Sequence, residues 1–136
     1  MPPLARNLLA LLAGVLLGGI LNGLLIALGP HLVRPPPGVD VSTAEGLARG
    51  IHLFTPRHFI IPFFAHALGT FAGAAGAYFI AATHKQGWAY AIGVIFLCGG
   101  IAASFMIPAP GWFVALDLIA AYLPMAWLAV RFARIR

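Results

Sequence analysis

The sequence predicts an all-α integral membrane protein: a four-helix bundle with a short extracytoplasmic amphipathic helix between its first two spans. Three observations predict it. Of 136 residues, 62% are apolar and 8% are charged, where a soluble domain of this length would carry roughly 34 charges. The charged side chains are Arg6, Arg34, Asp40, Glu45, Arg49, Arg57, Lys85, Asp117, Arg131, Arg134 and Arg136, and they leave uncharged gaps of 27, 27, 31 and 13 residues after Arg6, Arg57, Lys85 and Asp117. The apolar runs are continuous rather than alternating, which argues against a transmembrane barrel. So little polar surface cannot cover a soluble core. A disordered chain is excluded as well, and a nucleic-acid partner is not invoked.

About 20 apolar residues cross a hydrocarbon core of about 30 Å. The first two gaps therefore hold one span each. The stretch after Lys85 is too long for one span, and Pro108-Ala109-Pro110-Gly111 breaks it, since prolines remove donors and glycine favours a turn. The spans are expected at about 6–29, 57–83, 88–107 and 111–131, so that 1–136 forms a single transmembrane domain with an outer loop at 30–56. Gly29-Pro30 reads as the stop of the first helix. That helix reads as retained rather than as a cleaved signal peptide, because its run is long and no Ala-x-Ala site closes it.

Lys and Arg counts set orientation. With the N-terminus inside, Arg6, Lys85, Arg131, Arg134 and Arg136 lie inside against Arg34, Arg49 and Arg57 outside. Five against three predicts both termini in the cytoplasm of a bacterial inner membrane. The Arg-rich tail then accounts for the net charge of +5 as a topology signal and an anchor on anionic lipid.

The outer loop begins with a stiff Arg34-Pro35-Pro36-Pro37-Gly38 spacer. Ser42 or Thr43 can then cap a helix with Glu45 in its first turn. Leu47, Ile51 and Phe54 recur at helical spacing, predicting a short amphipathic helix on the membrane or over the bundle mouth. It reads first as a packed connector and second as a lid. Thr55-Pro56 has the form of an N-cap with proline at the first helical position.

Small residues recur every four positions in two spans: Ala10, Gly14, Gly18 and Asn22 in the first, and Ala65, Gly69, Gly73 and Ala77 in the second. In lipid, such faces let backbones approach closely. Gly14, Gly18, Gly69 and Gly73 are therefore the expected helix-packing positions. The faces could pair within one chain, in a homo-oligomer, or with a membrane-complex partner; the lipid bilayer is the one partner that composition requires. The single Cys98 excludes dithiol chemistry within the chain.

Ionisable groups inside spans usually face the bundle interior. Asp117 and His66 stand out, with Asn22, Ser104 and Thr70 as milder cases. At the helical rise, His66 lies ~14 Å, Asp117 ~9 Å and Asn22 ~10 Å below the outer surface. A buried carboxylate needs a partner to stay ionised. His66 and Asp117 are therefore expected to interact with Asn22 nearby, either as a structural clasp or as a ligand- or proton-binding site. Pro62 and Pro124 are expected to bend their helices near this layer. His58, Pro62 and His66 form a four-residue ladder that reads as the ordinary start of a kinked helix before it reads as the lining of a vestibule. No metal site or cofactor is expected: only His66 is deep enough for haem, and His31, His52 and His58 lack zinc spacing. Ser104, His66 and Asp117 name a hydrolase triad, but Ser104 lacks the nucleophile-elbow motif, and no catalytic residue is assigned.

The segment from His58 through Pro62, His66, Gly69 and Thr70, with Gly99-Gly100, Met106-Ile107-Pro108-Ala109-Pro110 and Leu116-Asp117, resembles a group of small, uncharacterised bacterial four-span membrane proteins. The resemblance covers roughly 56–130 and implies architecture only, since no activity is attached to that group. The leading functional reading is a binding or transport-related module whose outer polar cluster of His66, Asp117, Asn22 and Ser104 holds a small ligand or a proton. The alternatives are an accessory or scaffold subunit of a membrane complex and a small lipid-acting enzyme.

Overall fold

A computed structural model describes all residues, Met1–Arg136. It contains helices and no strands: α1 (Pro3–Leu32), α2 (Ala44–Gly50), α3 (Ile60–Ile80), α4 (Lys85–Met106), α5 (Gly111–Ala120) and α6 (Leu123–Ile135). Four segments are long and apolar enough to span a membrane: Pro3–Leu32, Pro56–Ile80, Lys85–Met106 and Gly111–Ile135. They form an up-and-down four-helix bundle. One end carries the loop around α2 and the turn at 107–110; the other carries both termini and the turn at 81–84.

The small faces of α1 and α3 meet each other. A methyl placed on Gly14 would sit 2.7 Å from the Gly73 carbonyl oxygen, and one on Gly18 would sit 2.6 Å from that of Gly69. The antiparallel helices thus pack backbone to backbone, as four-residue small spacing allows. Gly93 gives α6 the same approach to α4, through Ala126. The core at the terminus end is made of Ala74, Ala77, Ala89, Ile92, Ala126, Ala129 and Val130, so the helices there are close. At the loop end the core is aromatic, with Phe59 and Phe113 under Ile51.

Two polar side chains clamp α1 to the end of α3. Asn7 is 6% exposed; its Oδ1 accepts from the Ala82 and Thr83 backbone N–H groups, and its Nδ2 donates to Thr83 Oγ1 at 2.8 Å. Arg6 Nε donates to the Ile80 carbonyl at 2.7 Å. The groups just past the end of α3 are thereby satisfied by another helix.

Several boundaries differ from expectation. Gly29-Pro30 does not stop α1. Pro30 lies inside its last turn, Val33 N–H still reaches the Gly29 carbonyl at 2.8 Å, and the chain leaves the helix at Val33, which is extended. Pro62 does not bend α3: it is the third residue of that helix, where a missing N–H costs little, and the change of geometry falls earlier, between a 3-10 turn at Pro56–Phe59 and Ile60. The second membrane helix ends at Ile80 rather than 83, and His84 takes a left-handed conformation with φ 49° before α4. Pro124 does break the fourth span, at Ala121 and Tyr122, the latter with φ −117° and ψ −80°.

Over the loop end, Thr43 Oγ1 caps α2 by accepting from Gly46 N–H at 3.0 Å. Asp40 Oδ1 accepts from the Ser42 hydroxyl and N–H. Leu47, Ile51 and Phe54 pack on Phe59 and Phe113, which places the amphipathic segment over the bundle mouth. His58 pins the loop. Its Nδ1 accepts from Thr55 N–H at 2.9 Å, so the ring proton sits on Nε2, which donates to the Arg34 carbonyl at 3.1 Å.

Candidate functional site

Asp117 lies one and a half turns below the start of α5, on the face turned to α3. It is 5% exposed. Its Oδ1 lies 2.7 Å from His66 Nδ1 on α3, and its Oδ2 accepts from the Tyr122 hydroxyl at 3.0 Å. An ionised carboxylate can only accept, so Nδ1 carries the proton, and Nε2 of a neutral ring is a bare lone pair. The His66 ring also stacks on Tyr122, with centroids 5.9 Å apart and an interplanar angle of 23°. Two contacts therefore fix the orientation of the imidazole.

Thr70 stands one turn along α3. Its hydroxyl donates to the His66 carbonyl at 2.8 Å, which satisfies a fully buried polar group within its own helix.

Tyr122 is a member of this cluster that sequence reasoning missed. Five residues apart on a regular helix, two side chains diverge by about 140°. The break at Ala121 and Tyr122 removes that divergence. The usable signal was Pro124, two residues further on, which marks the fourth span as discontinuous.

Asn22 belongs to the same layer but bonds to neither His66 nor Asp117. It packs on Gly69 across the α1–α3 contact, and its buried Oδ1 has no hydrogen-bond partner. Ser104 donates to its own helix, at the Ile101 carbonyl 2.6 Å away. It forms no hydrogen bond with His66, so the hydrolase triad is not assembled. No three His, Cys, Asp or Glu side chains come together as a set that could hold a metal ion.

These residues share one cavity of about 610 Å³, within the range of small-molecule sites. Its lining is mostly apolar and includes Phe54, Phe59, Phe96 and Phe113. Asn22, His66, Ser104, Asp117 and Tyr122 are among its polar residues. The wall at the loop end comes from Val41, Leu47, Ile51 and Phe54, so the connector also caps the cavity. His58, Pro62 and His66 all line it. Their ladder lies on the cavity wall while also forming the start of the second span.

The bundle opens on one flank. α1 and α4 meet at Gly14 with Ile92 and at Gly18 with Phe96. Beyond that level, Gly19 and Ile26 of α1 and Ile95, Gly99 and Ala103 of α4 line the cavity while being exposed on the bundle surface. A methyl on Gly19 or Gly99 would meet no atom within 4 Å. The cavity therefore reaches the outside between these helices, at a height that is hydrocarbon when the spans cross a bilayer.

Comparison with protein-family models, curated proteins and solved structures finds no match.

Proposed function

We propose that this chain is a bacterial inner-membrane protein, with both termini cytoplasmic, that binds a small membrane-soluble ligand in the cavity beside His66, as a transport-related binding module. One observation carries the reading. On the wall of an otherwise apolar cavity, a histidine is oriented by a buried carboxylate and a tyrosine, while its Nε2 has no protein partner. A clasp built only to hold helices together would turn its polar atoms on one another. Here the outer nitrogen has no protein partner on the cavity wall, and Oδ1 of Asn22, in the same lining, is buried without one.

The scaffold reading calls for a closed bundle with its small faces free on the outside. The cavity, and the mutual burial of Gly14, Gly18, Gly69 and Gly73, speak for a binding module instead. Ala103 provides the test, because it lies mid-way along the α4 stripe of Phe96, Gly99 and Ile107 that lines the cavity. Ala103→Trp should fill the cavity without touching the dyad. Native mass spectrometry after mild detergent extraction should show a retained small molecule on the wild type and none on the variant. Identical spectra from the two proteins, with or without adducts, refute the reading.

A further inference from the structure

We propose that the ligand is a neutral, lipid-soluble alcohol or phenol, bound through its hydroxyl to His66 Nε2 and entering between α1 and α4. This rests on the binding reading above and adds the chemistry of the ligand.

The argument starts from what the cavity leaves available. Both Asp117 oxygens are engaged, by His66 and Tyr122, and the carboxylate is 5% exposed. An ammonium ligand would thus be desolvated without reaching the negative charge, a costly exchange in an apolar site. A carboxylate ligand would be brought beside Asp117 in a low dielectric, where like charges repel strongly. A hydrocarbon would leave Nε2 unpaired. A ketone or an ether can only accept, and the lone pair of a neutral His66 ring has nothing to offer it. A hydroxyl donates its proton to that lone pair and carries no charge into the site. It supplies the donor that Nε2 lacks, and its apolar body suits the rest of the lining.

The route points to the same class. The open flank lies between the exposed cavity-lining residues Gly19 and Ile26 on one helix and Ile95, Gly99 and Ala103 on the other. The loop end is covered by Leu47, Ile51 and Phe54. A ligand that partitions into the bilayer meets an opening, whereas one dissolved in water meets a cap. The rings of Phe54, Phe59, Phe96 and Phe113 suit an apolar body behind the hydroxyl.

A matched series tests this: 4-nonylphenol, its methyl ether, 4-nonylbenzoic acid and 4-nonylbenzylamine. Each is titrated into the full-length protein in phosphatidylcholine nanodiscs and corrected for partition into empty discs. Occupancy is read from the ¹⁵N resonances of the His66 ring. The phenol should bind about tenfold more tightly than each of the others, the worth of one hydrogen bond to a buried polar group. It alone should shift the Nε2 resonance as a lone pair that has accepted a proton donor. If all four bind equally, or the acid or amine binds best, and Ala103→Trp abolishes binding, the hydroxyl assignment is wrong while the cavity remains a binding site. If none of the four binds, or Ala103→Trp binds them as the wild type does, the cavity reading itself fails and takes this inference with it.

Discussion

Replacing Gly14 by alanine tests the backbone-to-backbone packing that holds α1 against α3. The added methyl would lie 2.7 Å from the Gly73 carbonyl oxygen, 2.8 Å from Ile92 Cδ1 and 3.1 Å from Ala77 Cβ. A relaxed carbon–oxygen contact is about 3.3 Å, so the helices must separate by about half an ångström or turn. The Ile92 methyl can swing away; the carbonyl cannot, because it belongs to a helix. Over-packing of this kind costs about 1–3 kcal/mol. Gly19→Ala is the matched control on the same helix, since its methyl meets nothing within 4 Å; it should be neutral or stabilising by up to about 1 kcal/mol. Gly73→Ala presses its methyl 2.6 Å from the Gly14 carbonyl, the reciprocal contact. Once one substitution has moved the helices apart, the second should cost less. The double variant should therefore be less destabilised than the sum of the singles, by about 0.5–3 kcal/mol. Equilibrium unfolding in dodecylmaltoside micelles with rising sodium dodecyl sulfate, followed by tryptophan fluorescence, measures all four. A Gly14→Ala protein as stable as Gly19→Ala, or strictly additive singles, refutes the packing argument.

Three further outcomes are expected. Asn7→Leu removes the acceptor of the Ala82 and Thr83 amides and the donor to Thr83 Oγ1; it should cost about 1–3 kcal/mol and raise hydrogen exchange at 82 and 83 more than at Gly46, whose N–H is held by Thr43 in a separate part of the fold. Tyr122→Phe leaves Asp117 Oδ2 without its donor and should cost about 1–3 kcal/mol in the same micellar unfolding assay; an unchanged midpoint would show that the hydroxyl does not bear on Asp117. Asp40 is held below the ordinary carboxylate value of 3.8 by the Ser42 side chain and then its backbone N–H. The stabilisation is therefore present above that value and is lost as pH falls through the lowered one. A carboxyl ¹³C titration should find a midpoint below 3.8 in the wild type and one nearer the ordinary value in Ser42→Ala; equal midpoints would overturn the assignment.

Much of the fold is legible in the sequence because a membrane span is a local property. The spacing from Arg6 to Arg34 and from Arg57 to Lys85 locates two helices without knowledge of what they touch. The α1–α3 contact is nearly as legible, since Ala10, Gly14 and Gly18 match Ala65, Gly69, Gly73 and Ala77 in spacing, and packing in lipid rewards small faces. Asn7 was not legible. Beside Arg6 at the edge of a span it reads as an ordinary interfacial residue, and its partners are 75 and 76 positions away. Pro30 misled for a local reason, because a proline in the last turn of a helix forfeits one hydrogen bond without ending the run.

By itself the sequence determined that this is a four-span helical chain and that Asp117, its one charge deep in a span, needs a partner. Those conclusions need only hydropathy, helical rise and the cost of a lone buried carboxylate. The tertiary structure alone decided how that need is met. His66, 51 positions away, supplies one donor, and Tyr122 supplies the other because the broken helix turns it back. Asn22, of the same polar layer, is left without a partner. Side chains on different helices meet according to how each helix is rotated and where it breaks, and no local pattern records that rotation. The cavity is decided in the same way: small residues close the bundle at one end, aromatic ones hold it apart at the other, and the space between them exists only once the helices are packed.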